Sequence, residues 1–122
     1  MASKKILLVD DSAVARMFII RHLSAKHTEW EAVEASTATE AMEILKREKF
    51  NIATIDYNMP ETNGLELIDQ IHKLGYDLKI VMLTANIQTP IREMAEKKGV
   101  LFLEKPITDE VVEKIINYEN VK

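Results

Sequence analysis

The sequence contains no cysteine, which excludes a disulfide framework, a thiolate zinc site and a cysteine nucleophile. Glycine and proline number three each, too few for a linker or a low-complexity tract. The glycines, Gly64, Gly75 and Gly99, all lie past the midpoint, so no glycine-rich phosphate loop can follow the first apolar run. Long apolar runs are also missing, and none approaches the roughly 20 residues that cross a bilayer. Sixteen basic residues against 20 acidic ones give a net charge of −4, and no basic run marks a nucleic-acid footprint. The opening MASKKILLVDD is not a signal peptide, because a carboxylate pair follows Ile6–Val9 at once. The chain therefore reads as cytosolic and complete, with no membrane insertion and no direct nucleic-acid contact.

What is present is an ordinary globular composition, 47% hydrophobic and 30% charged, which suits one domain over residues 1–122 with no output domain. Strand-length apolar runs occur at Ile6–Val9, Glu31–Glu34, Ile52–Ile55, Ile80–Leu83 and Leu101–Leu103. Segments with helical spacing lie between them. Val14, Met17, Phe18 and Leu23 mark the first, and Ala38, Ala41, Met42 and Leu45 the second. Leu65, Ile68 and Ile71 mark the third, Ile91, Met94 and Ala95 the fourth, and Val111, Val112, Ile115 and Ile116 the fifth. Thr37 with Glu40 and Asn63 with Glu66 have capping spacing. Thr89–Pro90 reads as a cap followed by proline at the first helical position, Thr108 opens the last helix, and Gly75 and Gly99 follow helical segments. Five strand-then-helix units predict a parallel sheet covered by helices on both faces.

Ligands of such sheets bind at the carboxyl ends of the strands. Asp10 and Asp11 follow the first strand, Asp56 the third, Thr84 ends the fourth, and Glu104–Lys105–Pro106 end the fifth. Three converging carboxylates repel one another unless a hard cation sits among them, and an oxygen-only donor set suits magnesium or manganese. No organic cofactor is expected. A carboxylate beside such an ion can attack a phosphoryl group, while Lys105 and Thr84 offer a cation and a hydroxyl to the phosphoryl oxygens. Asp56, alone at the end of a central strand, is the best nucleophile.

The segments VDDS at 9–12, DYNMPETNG at 56–64, LTAN at 83–86 and EKP at 104–106 resemble the CheY-like receiver domains of response regulators, in order and spacing over the whole chain. The resemblance implies a flavodoxin-like (βα)5 fold, three-layered, with strand order 2-1-3-4-5. It implies that Asp56 takes a phosphoryl group from a histidine kinase. It implies a metal site from Asp10, Asp11 (the more direct ligand), Asp56 and the Asn58 backbone carbonyl. Thr84 and Lys105 would contact the phosphoryl group, and Thr84 would act with Phe102 as the switch, its ring turning inward. Asn58 and Asn86 would tune the phosphoryl lifetime, toward a short one, and Lys105–Pro106 would be cis. Output would leave through the face of the fourth helix, fifth strand and fifth helix, about 90–98, 100–103 and 108–118. Chemotaxis, with a flagellar motor switch protein as target, is the first expectation, and a relay to a histidine phosphotransfer domain the second. A monomer is expected. The domain would catalyse only its own phosphorylation and dephosphorylation and is not read as an enzyme.

Each residue also has a plain reading: Asp10–Asp11 as a helix start, Thr84 as a β-branched strand residue, Lys105 as a surface lysine, Phe102 as core. Their joint register favours function. His22, His27 and His72 are expected to be exposed and idle, and Met17, Met42, Met82 and Met94 to pack the core. A haloacid-dehalogenase-type phosphatase would need a second aspartate two residues after its nucleophile, where Asp10 is followed by Asp11, Ser12 and Ala13. A flavin or nucleotide binder would need the missing glycine loop. A receiver-like scaffold that is never phosphorylated would have a damaged acidic site. Trp30 is expected at the far end of the sheet, insensitive to events at the carboxyl edge.

Overall fold

The computed structural model describes residues 3–121; Met1 and Ala2, with which the segment compared to a signal peptide begins, lie outside the described residues. Five strands, β1 (Lys4–Val9), β2 (Trp30–Ala35), β3 (Ile52–Ile55), β4 (Lys79–Thr84) and β5 (Leu101–Glu104), alternate with five helices. The helices are α1 (Ala13–Lys26), α2 (Ala38–Arg47), α3 (Gly64–Lys73), α4 (Thr89–Lys97) and α5 (Asp109–Glu119). All strand pairs are parallel and the order is β2-β1-β3-β4-β5, the flavodoxin-like arrangement. Each apolar run predicted from the sequence is a strand.

Strand alternation sorts the core into two layers. Leu7, Val9, Ala53, Ile55, Ile80, Met82 and Phe102 point to α2, α3 and α4. Ile6, Leu8, Ile52, Val81 and Leu83 point the other way, onto α1 and α5. Burial on both faces is why β3 does not alternate: Ile52, Ala53, Thr54 and Ile55 are all buried. Thr37, Asn63 and Thr108 cap α2, α3 and α5 by accepting from the backbone N–H of Glu40, Glu66 and Val111. Gly75 and Gly99, both at φ 75°, supply the left-handed residue that ends α3 and α4.

Three expectations change. The cap of α4 is Gln88, not Thr89: the Ile91 and Arg92 amides donate to its carbonyl, so Thr89 is already helical. Val14, Met17 and Phe18 are exposed, while Ile19, His22 and Leu23 are buried, so α1 presents a face turned away from the one its apolar spacing suggested. Met17 and Met94 are exposed, and among the core-assigned methionines only Met82 is fully buried.

At the amino edge of the sheet the two ends of the described chain meet. Lys4 Nζ lies 2.6 Å from Glu119 Oε1 and 3.2 Å from Asn120 Oδ1, and Lys79 Nζ donates to the Tyr118 carbonyl. Trp30 starts β2 at this edge, opposite Lys4, as its sequence position predicts.

Candidate functional site at the carboxyl edge

The sheet ladder extends one residue beyond the strands and so fixes the acidic side chains. The Asp10 amide donates to Ala35 O and the Asp56 amide to Val9 O, both at 3.0 Å. The Lys105 amide donates to Thr84 O, also at 3.0 Å, which ties the fifth strand's exit to the fourth's. The Lys105–Pro106 peptide is cis. After β3 the chain folds back on itself, and the Gly64 amide donates to Tyr57 O. A Cβ on Gly64 would stand 2.4 Å from the Asp56 carbonyl oxygen, so only glycine lets α3 start this close to the acidic edge.

The carboxylate oxygens of Asp10, Asp11 and Asp56 lie within 4.8 Å of one another. Asp10 and Asp56 are buried; Asp11 faces solvent, as adjacent residues on an extended chain should differ. Lys105 Nζ bridges the two buried carboxylates, 2.7 Å from Asp10 Oδ2 and 3.3 Å from Asp56 Oδ2. Asp10 Oδ1 accepts from the Ser12 amide at 2.9 Å. Burial pushes the Asp10 carboxyl above its usual range, against the pull of Lys105 and the Ser12 amide. Burial opposes the Lys105 charge, but the hydrogen bond it donates to Asp10 and the fields of Asp10 and Asp56 outweigh it and hold this ammonium up. Three carboxylates against one ammonium leave a negative excess. Only oxygens converge here, so the donor set fits a hard divalent cation of the magnesium class.

The remaining expected residues surround this core. Asn58 is exposed; its amide faces Asp56 Oδ1 at 3.4 Å, and with Asp11, Tyr57 and Asn63 it lines a shallow open cleft. Thr84 is fully buried and its Oγ1 accepts from the Asn86 amide at 3.2 Å, which leaves the hydroxyl proton free to donate elsewhere. The Phe102 ring points inward, 8% exposed, with the Arg92 guanidinium 4.9 Å from the ring centroid. A larger cleft, lined by Leu45–Phe50 and Gly75–Leu78, lies at the amino ends of β3 and β4, away from these groups.

The histidines correct the sequence reading. His72 is exposed, but His22 is buried, with Nδ1 2.9 Å from Asp109 Oδ1 and Nε2 2.7 Å from Glu113 Oε2. His27 Nε2 reaches the same Glu113 oxygen at 2.6 Å. The i,i+4 spacing of Asp109 and Glu113 on α5 was the one visible sign of this cluster.

A family described as the response regulator receiver domain matches residues 6–117. The chemotaxis protein CheY of Thermotoga maritima is 35% identical over 115 residues, 93% of this chain and 95% of that protein. A chemotaxis protein CheY homolog of Campylobacter jejuni is 35% identical over 112 residues, 88% of this chain and 85% of that one. The crystal structure of a CheY-like response regulator receiver domain protein from Methanospirillum hungatei superposes with a TM-score of 0.86 at 28% identity, covering 96% of this chain and 94% of that one.

Proposed function

The chain belongs to the response regulator receiver domain family, and we propose that it is a phosphorylation switch of a two-component pathway with Asp56 as the phosphoacceptor. The observation that carries this reading is the bridge of Lys105 between Asp10 and Asp56, with Asp11 alongside. It sets a carboxylate nucleophile, a cation and oxygen ligands within one small volume.

Asp56 presents its carboxylate to the phosphorus of a kinase phosphohistidine. An O–P bond forms, the N–P bond breaks, and the released imidazole takes up a proton. Lys105 moves from carboxylate to phosphoryl oxygen, keeping a charge-assisted bond throughout. The free hydroxyl proton of Thr84 serves a second phosphoryl oxygen. Asp10, Asp11, Asp56 and the Asn58 carbonyl would hold a divalent magnesium-class ion, which when bound neutralises phosphoryl charge. Asn58 and Asn86 are small amides beside the site, and they leave water access that favours a short-lived adduct.

Thr84 and Lys105 are joined backbone to backbone, and Phe102, on β5, carries the Arg92 guanidinium of α4 over its ring. A shift of Thr84 toward the phosphoryl group is thereby passed to α4, β5 and α5, the proposed output face, on which Met94 is exposed. The chemotaxis names of the relatives at 35% identity favour a chemotaxis-type regulator with a motor switch protein as target.

The test is intact-mass analysis after incubation with acetyl phosphate and magnesium. One labile phosphoryl adduct is expected, absent from Asp56→Asn and from a magnesium-free sample. An adduct that persists in Asp56→Asn would overturn the assignment.

A further inference from the structure

A second cluster of metal-binding side chains lies between the end of α1 and the first turns of α5, and the phosphoryl chemistry makes no use of it. His22, Lys26, His27, Asp109, Glu110 and Glu113 line a cleft open to solvent there. One ring nitrogen each of His22 and His27 and a carboxylate oxygen of Glu113 lie within 4.8 Å of one another, and both Nε2 atoms contact Glu113 Oε2.

The protons on His22 do not balance in the neutral ring. Both nitrogens face carboxylates, which when ionised only accept. A neutral imidazole has one N–H. If that proton sits on Nδ1 and is donated to Asp109 at 2.9 Å, the Nε2 lone pair points at Glu113 Oε2 from 2.7 Å, a repulsive contact. Either a second proton or a metal cation resolves it. A proton on Nε2 satisfies His22 alone, and the hydrogen bond to Glu113 does raise the readiness of this imidazole to take one. A cation could be shared by both rings, because both Nε2 atoms face the same Glu113 oxygen.

We propose that His22 Nε2, His27 Nε2 and the Glu113 carboxylate form a binding site for a borderline divalent transition-metal ion of the zinc class. Asp109 acts from outside the ligand set, holding the His22 tautomer in the way that metal-bound histidines are commonly held. Glu29 stands in the corresponding place behind His27, its Oε2 4.0 Å from Nδ1. Two imidazoles and a carboxylate select zinc, nickel or copper over magnesium, the reverse of the oxygen-only set at the carboxyl edge. Around zinc, with bonds of about 2.0–2.1 Å, ligand atoms stand about 3.3 Å apart. Glu113 must therefore retreat by roughly 0.6 Å from its present contacts, and its half-exposed side chain has room to do so. Asp109, Glu110, Glu113 and Glu29 outnumber the nearby cations, Lys26 of the lining and Lys114 paired with Glu110, so the local field attracts a dication. The fourth coordination position opens to water. A bound ion would fasten α1 to α5.

The test is calorimetric titration of the chelator-stripped, dialysed full chain with zinc chloride, in saturating magnesium so that the acidic edge is filled. One equivalent of zinc is expected to bind. His27→Gln and Glu113→Gln should weaken it by at least about tenfold, Asp109→Asn by about ten- to a hundredfold, and Asp11→Asn should leave it unchanged. Histidine ring resonances give a second readout that needs no variant: His22 and His27 should shift with one equivalent while exposed His72 stays. If neither ring shifts, or if binding survives His27→Gln and is lost in Asp11→Asn, the site is overturned. His22→Gln alters a buried position, so His27→Gln, at a half-buried one, carries the test.

Discussion

The carboxyl edge of the sheet and the α1–α5 cleft are both clusters of opposite charges, but they are built in opposite ways. At the edge, three carboxylates share one ammonium, and ladder hydrogen bonds at the strand ends hold Asp10, Asp56 and Lys105 in place. In the cleft, two imidazoles share one carboxylate; His22 and Glu113 ride on two helices of one layer, and His27 sits just past the end of the first. The edge is rigid and uniformly hard in its donors. The cleft is mixed in its donors, and one of its members, Glu113, can move. Charge excess alone therefore does not say what a cluster binds; the donor atoms and their supports do.

The sharpest way to break this contrast is at Lys105. Lys105→Ala is expected to still permit the Asp56 adduct but to slow its formation about a hundredfold, as loss of one transition-state donor does elsewhere. It should also uncouple the output face while leaving zinc affinity untouched. Adduct formation at the wild-type rate, followed by mass spectrometry, would show that Lys105 is only a resting counter-ion.

Gly64→Ala comes next. Its Cβ would meet the Asp56 carbonyl at 2.4 Å, so we expect a loss of about 1–3 kcal/mol in urea unfolding. The damage should be local, with magnesium affinity reduced and the His22 and His27 ring resonances unmoved. Unchanged stability would mean that the α3 start can shift freely.

A smaller effect concerns pH. In chelator, Glu113 and Asp109 hold the His22 imidazole above its ordinary value of 6.5, with His27, Lys26 and Glu110 as the other titratable groups lining the cleft. The folded state then binds the proton more tightly than the unfolded one. This stabilisation is complete below about pH 6.5 and is lost as pH rises through the folded value. The stability gap between wild type and His22→Gln, from urea melts, should therefore shrink from about pH 5.5 to about pH 8.5. A gap that widens would reverse the assigned sign.

The smallest expected effect is optical. The Trp30 amide donates to His27 O at 3.0 Å, at the end of the molecule opposite the acidic edge. Its fluorescence should respond to zinc and stay nearly constant on phosphorylation. A strong quench by acetyl phosphate and magnesium would show that the two regions communicate.

The same contrast explains what the sequence made legible. Residues at the carboxyl ends of parallel strands must come together whatever the loops do. Asp10, Asp56, Thr84 and Lys105 therefore follow directly from where the apolar runs stop. His22 and His27 are five apart, a spacing that puts them on different sides of a continuous helix. They meet because His27 has left the helix, at φ −139° and ψ 68°, and swings back until the ring centroids are 5.8 Å apart. Nothing in their spacing announces that break. Their meeting with Glu113 also requires knowing that α1 and α5 share a layer. The exposed Val14, Met17 and Phe18 misled for a related reason. The buried face of α1 holds a histidine set between two carboxylates, and a count of apolar side chains gives it no weight.

The clasp of Lys4 on Glu119 and Asn120 has a topological consequence. With the first strand and the last helix fastened side by side, a linker of a few residues could join residue 3 to residue 121 and close the chain into a ring. That ring could be reopened at the exposed turn around Gly75, giving a permuted protein whose new termini again lie at the amino edge. In such a molecule the order in which the strands are synthesised changes while their order in space does not. Cargo attached at either the old or the new ends would hang from the side of the sheet away from Asp56.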